Sequence, residues 1–422
     1  MALVLPGGGS KGMAHVGVIK VLDSLGIVPD IVVGTSMGAI VGGMYASGYS
    51  GVEIERLTQR FNIGAYIGRY APRPPRAFAI SGAGGASLLS SELPGEPEPV
   101  VLLEEQSAGF ALATSFADEG AINLLLTALF VRGDMLARGS FDSLPIPFRA
   151  VATDLHTGER VVLGHGDLAE AIRASVAIPI VFQPISLGGR QLVDGGLTEN
   201  VPVKLARELG ATRVILSLLN GIAPNDTGPP SSTAGALDMM LNRIFIDAHP
   251  PLGPGDVEIS TDVSDISNLD FSAGTVARLI DRGAAAARLI PSSACLARPP
   301  RIVPQLPAVS SSIVTPNAEP GAEGLLRNAV APTDSHLPKW IRSLLGQSTA
   351  APPKAGSAGG DRMARLDTIQ SRLASSGTSG LVRALWLNPQ KAAGDSVAFN
   401  PVIRWPERRV IGVGAAYDND LG

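Results

Sequence analysis

Five residues, Gly34-Thr35-Ser36-Met37-Gly38, do most to restrict what this chain can fold into. They stand between Asp30-Ile-Val-Val33, an apolar run of strand length, and the small-residue run Met37–Ala46, which closes at Gly48. A G-x-S-x-G between a strand and a helix is the setting of a nucleophile elbow. There a tight turn lifts a serine hydroxyl above the end of a sheet. Gly34 and Gly38 would be small because the turn is strained and the backbones flanking it must approach closely. An ordinary turn that happens to contain a serine is the plain alternative, and it explains neither flank.

The same alternation runs upstream and downstream. Ala2–Leu5 reads as a buried strand, and Met13–Leu25 carries Val16, Ile19, Val21 and Leu22 on a helical face that ends near Gly26. Further on, the strand-like runs are 148–152 and 160–163 (a hairpin-like pair), 191–193 and 213–218, the last read as the final core strand. Helical runs fall at 121–131, 168–176, 203–209 and 273–289. Strands alternating with helices predict an α/β fold with a mostly parallel central sheet covered by helices.

Gly7-Gly8-Gly9-Ser10-Lys11-Gly12 links the first strand to the first helix. It satisfies G-x-G-x-x-G, with Asp30 at about the distance of a ribose-binding acid, so a dinucleotide-binding oxidoreductase is one reading. It is not a phosphate-binding P-loop, because Met13 rather than lysine follows Gly12. The other reading is an oxyanion hole, in which amides freed by glycine point at developing negative charge. This motif alone leaves both open.

Asp194-Gly195-Gly196 follows Gln191-Leu-Val193, placing an aspartate at a strand end where it can meet another strand's end. Alone it is a common turn; beside Ser36 it is a candidate base. The histidines are His15, His156, His165, His249 and His336, and only the last two follow Asp194. His249 lies in Ala-His-Pro-Pro and His336 in a low-complexity stretch, neither a setting that locks a catalytic ring. A Ser36–Asp194 dyad fits better, and it requires burial to raise the basicity of the aspartate.

Composition removes other classes. Lys+Arg 34 against Asp+Glu 38 leaves a net charge of −4, with no basic excess for nucleic acid. The single cysteine, Cys295, forms no internal disulfide, and the Cys and His counts cannot build a structural zinc site. The most apolar stretch, 110–131, is interrupted by Asp118 and Glu119, so no membrane-spanning helix is expected. No basic leader opens the chain as given, so no signal peptide is expected. The cytosol, a membrane face and the exterior remain as compartments.

Taken together, the motifs resemble the patatin-like phospholipase family. Its G-G-G-x-[KR]-G matches Gly7–Gly12, its G-x-S-x-G matches Gly34–Gly38 and its D-G-[GA] matches Asp194–Gly196, in order. Residues 148–154, 171–179 and Asn200-Val-Pro202 also match, and the resemblance spans about 1–290. It implies a three-layer α/β/α sandwich and a serine acyl hydrolase of phospholipids or lysophospholipids, working at a membrane surface without metal or cofactor. By the same resemblance Ser36 is the nucleophile and Asp194 the general base. The amides of Gly8, Gly9 and Ser10, aided by Lys11, would hold the oxyanion. Arg173 reads either as a helix-surface charge or as an orienting partner for a carboxylate or phosphate. A lipid-binding protein with a degenerate site is the non-catalytic alternative.

The expected organisation is a patatin-like domain over 1–290, a Pro/Ser/Ala/Gly-rich linker over 291–360 and a C-terminal segment over 361–422. Residues 64–134 are expected to supply a mobile apolar cover for acyl chains. Within the last segment, helical character is expected over 363–374 and strands over 397–405 and 410–417. The run 410–422 resembles the opening strand of the outer-membrane barrel in bacterial patatin proteins, with a soluble hairpin as the alternative.

Overall fold

The computed structural model describes residues 1–61, 101–106, 109–112, 119–220, 233–244, 249–290, 302, 305–309, 384–392, 396–399, 402–404 and 410–413. The stretch 64–100, nearly all of the 291–360 linker, the helix expected over 363–374 and residues 414–422 lie outside them.

In chain order the elements are β1 (Ala2–Leu5), α1 (Ala14–Ser24, entered through a 3-10 turn over Gly9–Met13), β2 (Ile31–Thr35), α2 (Met37–Ala46) and α3 (Gly51–Phe61). Then come β3 (Val101–Gln106), β4 (Gly109–Leu112), α4 (Glu119–Ala137), β5 (Phe148–Asp154), β6 (Arg160–Leu163) and α5 (Leu168–Ser175). These are followed by β7 (Ile185–Leu187), β8 (Arg190–Asp194), α6 (Gly196–Glu199), α7 (Val203–Glu208) and β9 (Val214–Asn220). α8 (Thr233–Ile244), β10 (Val257–Asp262) and α9 (Ala273–Ala287) close the main body. Short strands follow: β11 (Ala308–Val309), β12 (Ala384–Trp386), β13 (Pro389–Lys391), β14 (Ser396–Phe399), β15 (Val402–Arg404) and β16 (Val410–Val413).

The main sheet runs β10-β9-β1-β2-β5-β8-β7, with β6 also paired to β5. The β10–β9, β9–β1, β1–β2 and β2–β5 pairs are parallel, and β5–β8, β7–β8 and β5–β6 are antiparallel. Register sets what emerges where. Leu5 pairs with Gly34, so the glycine loop after β1 and the elbow after β2 leave the sheet side by side. Ala152 pairs with Asp194, which brings the end of β8 to that same edge from the opposite direction.

Strand side chains alternate between two cores, as the pleat requires. Leu3, Leu5, Val32, Phe148, Ala150 and Ile215 enter the larger one, shared with α1, α2, α3, α4, α5, α8 and α9. Ala2, Val4, Val33, Val151, Val214 and Leu216 enter a smaller one with Val203, Leu205 and Ala206 of α7. The result is the α/β three-layer sandwich, with one thick helical layer and one thin one.

α2 is buried at every position because it lies between the sheet and a second tier of helices. Its small residues allow this: a Cβ at Gly42 would meet Val32 and Leu5, and one at Gly43 would meet Ile172 and Phe130. α4 is long and apolar enough to cross a membrane (19 residues), yet 89% of its apolar window is buried inside the protein. Its Asp and Glu residues do not end it, because burial among other helices outweighs them. This corrects part of the expected mobile cover, since residues 119–134 form a core helix.

β9 is not the last core strand, because β10 pairs parallel to it from Val257 to Asp262. β10 alternates, with Ile259 and Thr261 buried and their neighbours exposed, which weakens its apolar signal. The run expected over 397–405 is two short strands, with Asn400-Pro401 between them in sequence. β14 pairs with β11 and β13, β15 with β12, and β16 with β3. Among the described residues the two tail runs therefore do not pair with each other.

Candidate active site

Ser36 joins β2 to α2 with φ 51 and ψ −120, a left-handed conformation that a side-chain-bearing residue adopts only under constraint. The constraint is visible on both sides. A Cβ on Gly38 would lie 2.0 Å from the Leu5 carbonyl oxygen and 2.6 Å from that of Pro6, so only glycine lets α2 begin so close to β1. The Ser36 amide donates to Ser175 Oγ at 3.0 Å, and that hydroxyl donates to the Val151 carbonyl at 2.5 Å.

Ser36 Oγ donates to Asp194 Oδ2 at 2.6 Å. The other carboxylate oxygen accepts from the Gly196 amide at 2.8 Å, and the Asp194 carbonyl accepts from Thr153 Oγ1 at 2.9 Å. Ser36 is 3% exposed and Asp194 fully buried. Burial pushes the Asp194 carboxyl up to about 7, against the opposing pull of its hydrogen bonds from Ser36 and Gly196. A carboxylate of that basicity, in contact with a serine hydroxyl, can take its proton near neutral pH.

The glycine loop is more selective than its sequence suggests. The Gly7 amide donates to Asn200 Oδ1 (3.1 Å), the Ser10 amide to the Asn268 carbonyl (2.8 Å) and the Lys11 amide to the Gly8 carbonyl (3.1 Å). Among the described residues, the Gly8 and Gly9 amides have no acceptor. The expectation that Ser10 shares the oxyanion is corrected, because its amide is already spent in holding the loop. Gly9 has φ +54, and a Cβ there would lie 2.4 Å from the Asn268 carbonyl oxygen. Lys11 is 4% exposed with Nζ on Asn242 Oδ1 at 3.1 Å, so its ammonium fastens the loop to α8. Gly12 faces Met37, where a Cβ would come within 2.5 Å.

A cleft opens on Ser36 and Gly9. Its walls are Ile40, Ile122, Val176, Ile178, Phe182, Leu241, Leu269 and Phe271, with Asn268 and Met37 completing them. Apolar lining with a few polar groups at one end suits a long hydrocarbon bearing one reactive carbonyl.

The remaining candidates separate cleanly. Asp30 lies at the opposite, amino end of the sheet, where its amide bonds to the Met1 carbonyl, so it is remote from the glycine loop. That placement overturns the dinucleotide reading. His249 is half-buried and bonds to the Pro250 carbonyl, while His336 lies outside the described residues. Arg173 is no surface charge: it is fully buried, donates to Asn123 Oδ1 (2.8 Å) and Glu119 Oε1 (3.3 Å), and stacks 4.6 Å from the Phe182 ring. Sequence reasoning missed Ser175 and Asn268 as supports of the site. Ser175 lay within a matched stretch, Ala171-Ile-Arg-Ala-Ser-Val-Ala-Ile-Pro179, whereas Asn268 had no local signal.

A serine at the elbow after β2, an aspartate at the end of β8 two strands away and a glycine loop after the adjoining β1 define a class of α/β proteins with a serine-centred site. Residues 3–207 match the family described as Patatin-like phospholipase, and the chain thus carries a domain of that family. An Uncharacterized NTE family protein of Mycobacterium tuberculosis is 32% identical over 243 residues, covering 57% of this chain and 55% of that protein. Patatin-like phospholipase domain-containing protein 6 of Mus musculus is 30% identical over 217 residues, 51% of this chain and 13% of its own length. The chain thus spans about half the length of that mycobacterial protein and far less of the mouse protein. The crystal structure of VipD from Legionella pneumophila aligns over 68% of this chain and 66% of that one at 14% identity, with a TM-score of 0.39.

Proposed function

We propose that this protein is a serine acyl hydrolase of lipid esters, of the phospholipase A or lysophospholipase type. The observation that carries the reading is the 2.6 Å hydrogen bond from Ser36 Oγ to a buried Asp194 whose carboxyl is raised to about 7. As Ser36 Oγ bonds to the acyl carbon, its proton passes to Asp194 Oδ2. The carbonyl oxygen, now negative, is received by the Gly8 and Gly9 amides. Collapse breaks the acyl–oxygen bond, and Asp194 returns the proton to the leaving alcohol. Water then attacks the acyl-serine, gives its proton to Asp194, and the acid departs as Ser36 regains a proton. The apolar cleft holds the acyl chain through both steps.

Substrate is taken from a lipid surface. Ile180 supports this: it is 50% exposed with φ 74, between the cleft residues Ile178 and Phe182, where a soluble loop would gain nothing from a strained, exposed isoleucine. Ile180→Asp is expected to weaken sedimentation with phosphatidylcholine vesicles.

The test of the whole reading is incubation with a fluorophosphonate probe and a short-chain p-nitrophenyl ester. Wild type should label and turn over. Ser36→Ala should not label and should lose turnover by about 10⁴-fold or more. Asp194→Asn should lose turnover as well. Lipid association without labelling or turnover would instead support the non-catalytic lipid-binding alternative.

A further inference from the structure

Three consecutive glycines make the least rigid backbone a chain can offer, yet oxyanion donors must be held in place before the charge develops. The structure shows what holds them. The Pro6–Gly7 peptide, immediately before Gly8 and Gly9, has both polar groups gripped by buried side chains. Its carbonyl oxygen lies 3.0 Å from His15 Nε2, and its N–H donates to Asn200 Oδ1 at 3.1 Å. His15 is fully buried and Asn200 is 6% exposed. The second ring nitrogen of His15, Nδ1, lies 2.8 Å from Ser217 Oγ.

The protons can be placed from this geometry. A carbonyl only accepts, so Nε2 carries the hydrogen and donates to Pro6. Nδ1 is then bare and accepts from the Ser217 hydroxyl. Burial lowers the ring to about 4, so this neutral form persists across the working pH range. The two anchors come from different elements, His15 from the first turn of α1 and Ser217 from the middle of β9. Neither touches the cleft, whose lining includes Gly9 and Ser36 but not His15, Ser217 or Asn200.

We infer that His15, backed by Ser217 and opposed by Asn200, is a positioning residue: it clamps the Pro6–Gly7 peptide so that the Gly8 and Gly9 amides stay aimed at the oxyanion. Gly38 adds to the case, because the elbow helix rests against the Leu5 and Pro6 carbonyls, and a shift of Pro6 would move nucleophile and donors together. The inference rests on the proposed hydrolase reading.

The test uses the full chain and counts competent sites by fluorophosphonate labelling, so that misfolded protein is excluded from the rate. With p-nitrophenyl butyrate, His15→Leu should lower kcat per labelled site by about 100-fold with KM changed less than about threefold, as expected for misplaced donors. His15→Gln places an amide donor where Nε2 stood and should recover most of that loss. Asn200→Ala and Ser217→Ala should each lower kcat by about tenfold, and they carry the test if His15→Leu does not fold. A kcat in His15→Leu within threefold of wild type, or no recovery in His15→Gln, overturns the clamp while the hydrolase reading stands. In the fallback, unchanged kcat in Asn200→Ala and Ser217→Ala does the same. A wild type that neither labels nor turns over removes the hydrolase reading and the clamp with it.

Discussion

At the scale of single residues, the chemistry turns on where one carboxyl group is buried. In the proposed mechanism Asp194 is a base only when ionised, so kcat/KM should rise about tenfold per pH unit up to about 7 and level off above it, measured with a neutral ester. The same burial costs stability. Its folded carboxyl is held above its unfolded value of 3.8, so the folded state is penalised increasingly as pH rises from there to about 7, and constantly beyond. Asp194→Asn should therefore raise the unfolding midpoint at pH 8, and less so at pH 5, while abolishing turnover. An equal effect at both pH values would count against the raised carboxyl. The identities of Ser36 and Asp194 were legible as candidates in the sequence because turn chemistry advertises them. Which loop amides remain free was not legible, since Asn200 and Asn268, which occupy those of Gly7 and Ser10, lie far away in the chain.

At the scale of elements, the site is held by hydroxyls that reach across the sheet edge. Ser175 ends α5 and bridges the Ser36 amide to the Val151 carbonyl. Ser175→Ala takes away the acceptor of the buried Ser36 amide, which should cost about 1–3 kcal/mol by urea unfolding and lower kcat more than it raises KM. α1 and α9 meet through glycines: a Cβ on Gly17 would lie 1.9 Å from the Ile280 carbonyl oxygen, and one on Gly283 would lie 1.9 Å from that of Ala14. Gly17→Val should separate these helices and cost at least about 1–3 kcal/mol, measured the same way. The helical run at 273–289 was plain from its period, but this close approach was not, because a glycine inside a helix reads locally as a weakness.

At the scale of the whole molecule, part of the C-terminal segment belongs to the same core as the helices that pack on the candidate site. Trp386 is 2% exposed within the larger core, and Thr127 Oγ1 of α4 donates to the Leu385 carbonyl at 2.7 Å. Asp167 caps α5 through the Glu170 amide (2.8 Å) and also accepts from the Leu387 (2.5 Å) and Asn388 (2.9 Å) amides. The segment thus grips the helix that ends in Ser175. Trp386→Ala should destabilise the full chain by about 3–5 kcal/mol in urea unfolding. A chain ending at 383 should show a comparable loss, and an unchanged unfolding curve for both would overturn this dependence on the C-terminal segment.

What the sequence determined by itself was local. Glycines at the elbow and loop, alternation of strands with helices, and an aspartate at a strand end are all readable within a dozen residues, because backbone sterics and hydrophobic period act over that range. The tertiary structure decided everything that depends on meeting across the fold: that Asp30 sits at the wrong end of the sheet for a nucleotide, that Arg173 is buried against Glu119, and that the Gly8 and Gly9 amides have no acceptor among the described residues. Burial and long-range hydrogen bonds are properties of packed elements, and no window of neighbouring residues contains them.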